Sequence, residues 1–290
     1  MADSSALSPK LLAVDLDGTL LDPSGKPHVR DVRAVRALLA SGVAVSIVTG
    51  RLYSGTRAVA QALGLRGAVA CADGSHLVHA GDHATLLHLG VRGDDGAKLR
   101  AALAGSGLAT FVFAKDAIGH DAAGARFVDY VTTWSLDIRA ARDVLDHELW
   151  KAEDGVTAVV ALGEREKVAE TARAITAALP SAVVVAMFPV RRGIHANKGT
   201  WALIVRAAGG TKGTAIRWIA EREGVSIEDT VCVGDWLNDV PMFEAAGQSF
   251  AMGQAPDDVK KHATVVLPET CETGGGIARV VEESLGISVA

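Results

Sequence analysis

Two aspartates one residue apart, Asp15 and Asp17, stand between the apolar run Leu11-Leu12-Ala13-Val14 and the pair Gly18-Thr19. An unbroken apolar run of this length reads as a strand buried on both faces of a parallel sheet. On an extended backbone residues i and i+2 face the same way. If the extension persists through Asp17, both carboxylates look out of the carboxyl end of the sheet, where α/β proteins bind ligands. Gly18 lets the chain turn away sharply. Such a pair suits nucleophilic and acid–base work. One carboxylate attacks an electrophile, and the other, with a raised pKa, gives a proton to the leaving group. Taken alone, Asp-x-Asp-Gly is equally a plain turn sequence.

Other strand ends tip the balance. The second apolar run, Val43–Val48, closes on Thr49-Gly50, a hydroxyl and a backbone N–H suited to a phosphate oxygen. Lys212 precedes the helical stripe Ala215, Ile216, Ile219 and Ala220, so it stands at a helix N-terminus, where anions are welcome. A second Lys-Gly-Thr begins at Lys198, but the β-like run Trp201–Val205 follows it. Lys198 therefore precedes a strand, at the wrong end of the sheet, and reads as an exposed turn lysine. The run Val231-Cys232-Val233 ends in Gly234-Asp235-Trp236-Leu237-Asn238-Asp239. Each group has a bland alternative: a helix cap for Thr49, a solvated side chain for Lys212, an Asx turn for Asn238. Four of them, in order at strand ends, make a site.

Charge names a missing partner. Asp15, Asp17, Asp235 and Asp239 gather four negative charges that cannot all ionise cheaply at close range. Lys212 returns one, and a divalent cation returns two. All-oxygen donors suit Mg²⁺. No His/Cys cluster has zinc spacing; His79, His83 and His88 fall in a predicted hairpin and read as solvated surface.

The elements that must carry these groups alternate. Helices Val29–Ala40 and Thr56–Leu63 separate the first strands, and a third, Gly67–Ala72, leads to the Asp73-Gly74 turn. This rhythm predicts right-handed crossovers and a doubly wound α/β sheet. From about His79 to Val190 the pattern is helix–strand–strand twice over. Helices are predicted at Gly96–Leu103 and Arg165–Leu179, and strands at Ala109–Ala114, Phe127–Thr133, Val156–Leu162 and Ala182–Phe188. The α/β rhythm then returns with helix Thr214–Arg222, strand Thr230–Val233, helix Val240–Ala246 and strands Phe250–Met252 and Thr264–Leu267. The predicted organisation is a core in two parts, residues 9–78 and 201–290, around an α+β insert at 79–200.

The 290 residues carry a net charge of −5 with no basic stripe, which argues against a nucleic-acid partner. The three cysteines (Cys71, Cys232, Cys271) are an odd count in apolar surroundings, so a disulfide framework is not expected. The opening MADSSALSPK has no apolar signal region, and no apolar run approaches the ~20 residues of a membrane span. A soluble, cytoplasmic protein is expected.

These residues resemble the haloacid dehalogenase (HAD) phosphohydrolase superfamily, and its Cof-type branch in particular. The matching motifs are D-x-D-G-T at Asp15–Thr19, the strand-closing Thr49, Lys212, and G-D-x-x-N-D at Gly234–Asp239, with Ala251–Pro256 resembling a further shared stretch. The resemblance implies a Rossmann-like core and an inserted cap that selects the substrate. It implies Asp15 as nucleophile forming an aspartyl-phosphate, and Asp17 as general acid and then base. It places Mg²⁺ among Asp15, Asp17 (through its backbone carbonyl), Asp235 and the supporting Asp239, with Thr49, Gly50, Lys212 and Asn238 on the phosphoryl oxygens. The implied activity is Mg²⁺-dependent hydrolysis of small phosphomonoesters, often sugar phosphates. Three departures stand out: Asp73-Gly74 where the branch has Asn-Gly, the bulky Trp236, and Thr273–Gly276 in place of an acidic run. Two rivals remain open. One is a phosphosugar mutase of the same superfamily, which would need a bisphosphate activator. The other is a non-catalytic, receiver-like phosphoacceptor, against which Asp17 argues.

Overall fold

Leu11–Val14, apolar at every position, is buried throughout and pairs in parallel with Thr230–Gly234 on one side and Ala44–Ile47 on the other. The structure is a computed structural model that describes residues 11–190, 198–285 and 287. The MADSSALSPK segment, including residues 9 and 10 of the predicted core, lies outside the described residues, as do positions 191–197, 286 and 288–290. Two more parallel strands, Gln248–Ala251 and Val265–Val266, extend the sheet beyond Thr230–Gly234. Past Ala44–Ile47 the ladder continues through a parallel bridge from Val48 to Ala70, in the strand Ala68–Cys71. No helix among the described residues is long and apolar enough to cross a membrane.

The chain forms two compact units. One holds the residues up to Gly50, Arg57–Leu86 and those from Thr211 onward; the other holds Arg51–Thr56 and Leu87–Gly210. In the first unit, the helices Val29–Ala40 and Gly276–Leu285 pack together and are pinned by Asp31. Its buried carboxylate accepts the N–H groups of Gly275 and Ala278, both at 2.9 Å, at the start of the second helix. Burial pushes the Asp31 carboxyl above its ordinary range against the pull of those N–H donors.

The second unit has its own sheet. Its strands run in the order Val183–Pro189, Thr200–Ala207, Ala158–Glu164, Ala109–Ala114, Ala117–His120 and Ile138–Ala140. All neighbours are antiparallel except the last pair. Leu99 and Leu103 from helix Gly93–Leu103, and Val168 and Ile175 from helix Arg165–Ala178, pack on Val112, Val159, Leu203 and Val205 of the sheet.

Two expectations are corrected here. The predicted 200/201 boundary leads straight into the strand Thr200–Ala207, which pairs with Val183–Pro189 and Ala158–Glu164. That strand completes the second helix–strand–strand repeat, and the units divide at Gly210, just as the earlier division falls at Leu86 rather than at residue 78. The predicted strand Phe127–Thr133 is helical instead. Asp121 caps a first turn, Ala122–Ala125, by accepting the N–H groups of Ala123 and Gly124, and a second turn follows at Val128–Val131. Tyr130 and Trp134, one helical turn apart, bring their rings to 5.2 Å. The cap and this i,i+4 pair outweigh the strand preference of Val and Tyr.

One turn fixes how tightly the site end of the first unit packs. Gly74 has φ +99°, and a Cβ there would lie 2.4 Å from the carbonyl oxygen of Thr211, just ahead of helix Lys212–Arg222. Gly74→Ala adds both left-handed strain and a backbone clash. It should cost about 2–4 kcal/mol in chemical denaturation. A loss below about 0.5 kcal/mol, the range of ordinary surface changes, would mean that the turn has room to spare.

Candidate active site

The N–H of Asp15 donates to the carbonyl of Val233 at 3.0 Å, so the ladder runs one residue past the strand and holds Asp15 at the sheet's carboxyl end. The extended run stops there. Leu20 N–H reaches back to Asp15 O (3.3 Å) and Leu21 N–H to Leu16 O (2.9 Å), a wide turn that starts at Leu16. The i, i+2 argument therefore does not orient Asp17, which is half-buried and bridges to Leu21.

Lys212 opens the helix Lys212–Arg222, which Thr211 and Thr214 cap reciprocally. Its side chain is 0% exposed, and Nζ donates to Asp15 Oδ1 and to Asp239 Oδ1, each at 2.6 Å. Burial alone would depress the Lys212 ammonium, but the two carboxylates hold it above its ordinary value. The second oxygen of Asp239 accepts the N–H groups of Asp235 (2.8 Å) and Trp236 (2.9 Å). Gly234 permits this closeness, since a Cβ there would come within 2.5 Å of Asp239 Cγ. The spacing of Gly-Asp-x-x-Asn-Asp is thus a folded loop in which the last aspartate organises the backbone of the first. Asp235 accepts Thr19 Oγ1 on Oδ1 at 3.3 Å and Gln254 Nε2 on Oδ2 at 3.4 Å, and Gln254 also holds Gly18 O at 2.5 Å.

Asp15, Asp235 and Asp239 each bring a carboxylate oxygen within 4.8 Å of the others, all buried. Hard oxygen donors at this spacing fit Mg²⁺. Asp239 is held on both oxygens by short bonds of 2.6–2.9 Å, whereas those on Asp235 are long, at 3.3 and 3.4 Å, so Asp15 and Asp235 are the donors more open to a cation. Asp17, placed in the metal set from the sequence, does not bring its carboxylate into this group. The backbone carbonyl of Asp17 is the group that the resemblance assigns to the metal. Burial pushes the Asp15 carboxyl up, to about 8, against the pull of Lys212 and with the added push of Asp239 and Asp235.

Thr49 is fully buried at the next strand end. Its N–H donates to Ala70 O and its carbonyl accepts the N–H of Asp73, both at 2.8 Å. Asn238 Nδ2 donates to Asp73 Oδ1 at 2.7 Å, and the same oxygen lies 3.3 Å from where a Cβ on Gly50 would stand. The structure thus groups Thr49, Gly50 and Asn238 around Asp73, and Lys212 with Asp15 and Asp239. Lys198 is exposed, in the second unit, ahead of strand Thr200–Ala207. Gln254 gained no role from the sequence; its only signal there was its place in the Ala251–Pro256 stretch.

The family model for haloacid dehalogenase-like hydrolases matches residues 12–281. The phosphoglycolate phosphatase of Halobacterium salinarum is 40% identical over 101 residues, 35% of this chain and 44% of that protein, so the match spans under half of the relative's length. The pyridoxal phosphate phosphatase of Escherichia coli is 26% identical over 290 residues, covering 96% of this chain and all of the relative. A haloacid dehalogenase-like hydrolase from Bacillus subtilis has the same fold, with a TM-score of 0.78 at 22% identity over 94% of this chain and 99% of the other.

The raised Asp15 has a measurable signature in metal-free protein. Between the ordinary value of 3.8 and about 8, the folded chain keeps a proton on Asp15 that the unfolded chain has released. Stability from this group therefore falls as pH rises through that window. In EDTA, the melting temperature of the wild type should fall relative to that of Asp15→Asn as pH goes from about 5 to about 8. Melting curves that stay parallel across that range would show that Asp15 ionises normally.

Proposed function

The chain belongs to the haloacid dehalogenase-like hydrolases, and on that premise we propose that it hydrolyses small phosphomonoesters with Mg²⁺ through a phosphorylated Asp15. The observation that carries this reading is the buried Lys212 Nζ, 2.6 Å from Asp15 at the carboxyl end of the parallel sheet. A lysine there fixes the carboxylate for attack and offers its charge to the phosphoryl group as it transfers.

In the first step an Asp15 oxygen forms a bond to phosphorus while the bond to the leaving oxygen breaks, and Asp17 gives that oxygen its proton. In the second, Asp17 takes a proton from water, the water oxygen attacks phosphorus, and the acyl-phosphate bond opens to release inorganic phosphate and restore Asp15. The Thr49 hydroxyl, the Gly50 N–H and the Asn238 amide orient the phosphoryl oxygens. Asp239 holds Lys212 and the Asp235–Trp236 backbone in place. Mg²⁺ held by Asp15 and Asp235 would offset carboxylate repulsion and draw charge from the phosphoryl group.

The substrates proposed are small phosphorylated metabolites, sugar phosphates among them, selected by the inserted unit, and the proposed location is the cytoplasm. A receiver-like phosphoacceptor has no use for Asp17, which speeds turnover. A mutase would reveal itself by dependence on a bisphosphate.

Hydrolysis of p-nitrophenyl phosphate with Mg²⁺ tests the scheme. Asp15→Asn should abolish turnover, Asp17→Asn should slow it without ending it, and EDTA should remove it. Wild-type-like rates from Asp15→Asn would end the proposal. Lys212→Ala should lose about 10²–10³-fold in kcat/KM, the scale of a lost charge-stabilising group. Lys198→Ala should stay within about twofold, as an ordinary exposed residue does. The reverse ranking of the two lysines would overturn the assignment.

A further inference from the structure

Gln254 takes no part in the mechanism above, yet its side chain bridges two loops that flank the group of acids. It lies just past the strand Gln248–Ala251, where Ala251 is in register with Gly234 and Met252 N–H donates to Gly234 O at 3.0 Å. Its amide is bonded at both ends. Nε2 donates to Gly18 O at 2.5 Å and to Asp235 Oδ2 at 3.4 Å, and Oε1 accepts the N–H of Cys271 at 3.2 Å. A backbone carbonyl only accepts and a backbone N–H only donates, so these partners admit one orientation of the amide. Turned over, it would set oxygen against oxygen at Gly18 and N–H against N–H at Cys271.

The groups it holds are ones that need holding. Gly18 has φ +91°, and glycine is the residue with the most backbone freedom. Its N–H makes a long bond, to Leu21 O at 3.3 Å. The Gln254 bond to its carbonyl therefore helps to fix the turn that carries Asp17, whose own carbonyl the resemblance assigns to the metal. Asp235 is tied to the same turn on each oxygen: Thr19 Oγ1 donates to Oδ1 at 3.3 Å, and Gln254 links Oδ2 to Gly18. Bonds this long aim a carboxylate and leave it lone pairs for a cation. Mg²⁺ is sensitive to such aim, since it demands near-ideal octahedral geometry.

We infer that Gln254 is a positioning residue for the cation site: it clamps the turn after Asp15 to the Asp235 carboxylate and thereby sets the affinity for Mg²⁺. The inference rests on the Mg²⁺ site proposed above. Gln254 acts through the donors it orients, as the hydrogen-bond partners of metal-ligating groups do.

Titrating Mg²⁺ into the full chain by calorimetry, with no substrate present, reads the affinity directly. Gln254→Met keeps the length of the side chain without its N–H donors, and Gln254→Ala removes the bridge altogether. Gln254 is exposed, so neither change opens the core. Both variants should bind Mg²⁺ about tenfold or more weakly than wild type, the scale of a lost partner of a metal ligand. Hydrolysis of p-nitrophenyl phosphate by either should be slow at the Mg²⁺ concentration that saturates wild type and recover as Mg²⁺ is raised. A merely structural role would lower the melting temperature in EDTA and leave the Mg²⁺ affinity unmoved, and that result overturns the inference. So does a Kd within about threefold of wild type in both variants, whatever their melting temperatures. A wild type that binds no Mg²⁺ overturns the metal site, and the inference with it. A wild type that binds Mg²⁺ yet hydrolyses no p-nitrophenyl phosphate overturns the phosphatase reading alone, and the affinities of the two variants still decide the role of Gln254.

Discussion

A fully buried ammonium held by two carboxylates is the constraint on which the first unit depends. Lys212 remains charged without water because acidic groups answer it, and Asp15 and Asp239 each accept from it at 2.6 Å. Removing one partner of a buried pair leaves an uncompensated charge, at about 3–5 kcal/mol. The triad ties together the end of strand Leu11–Val14, the first turn of helix Lys212–Arg222 and the loop after strand Thr230–Gly234. Those are sequence-distant pieces. The groups that would do chemistry are therefore also the groups that close the fold at this end of the sheet.

Close packing around the triad follows from the same need. Asp239 reaches Lys212 only because Gly234 offers no side chain in its way, and it then uses its second oxygen on the Asp235 and Trp236 N–H groups. The Asp73 turn is pressed toward the helix start at Thr211 by the same logic, with Gly74 at the point of closest approach. At the far edge, the Thr273–Gly276 run serves packing. It brings the Gly275 N–H to the buried Asp31 and starts the last helix. None of these contacts touches a reacting atom. Each limits where Lys212, Asn238 or the strands can sit.

What the sequence makes legible is what local pattern encodes. The apolar runs before Asp15, Thr49 and Gly234 are strands because each must be covered on both faces, and their ends are where polar residues gather. Lys212 was separable from Lys198 because the residues after it repeat at helical spacing and those after Lys198 do not. The unreadable parts are settled by distant partners. Thr200–Ala207 belongs to the insert because Val183–Pro189 and Ala158–Glu164 pair with it, and no residue within the run says so. The turn at Leu16, where the extended run ends short of Asp17, depends on backbone bonds five residues apart. Gln254 meets Asp235 only once two strands lie side by side.

The geometry also revises the charge balance of the site. With Asp17 outside the buried group, Asp15, Asp235 and Asp239 share one enclosed space with Lys212. Lys212 cancels one of three negative charges, and a divalent cation would cancel the other two. Without the cation the remaining repulsion has to be relieved in another way, and the cheapest is protonation of Asp15, whose carboxyl is pushed up to about 8. Cation and proton are thus alternatives at the same carboxylate. In the proposed reaction the nucleophile must be unprotonated to attack, so binding the cation and arming Asp15 would be one event.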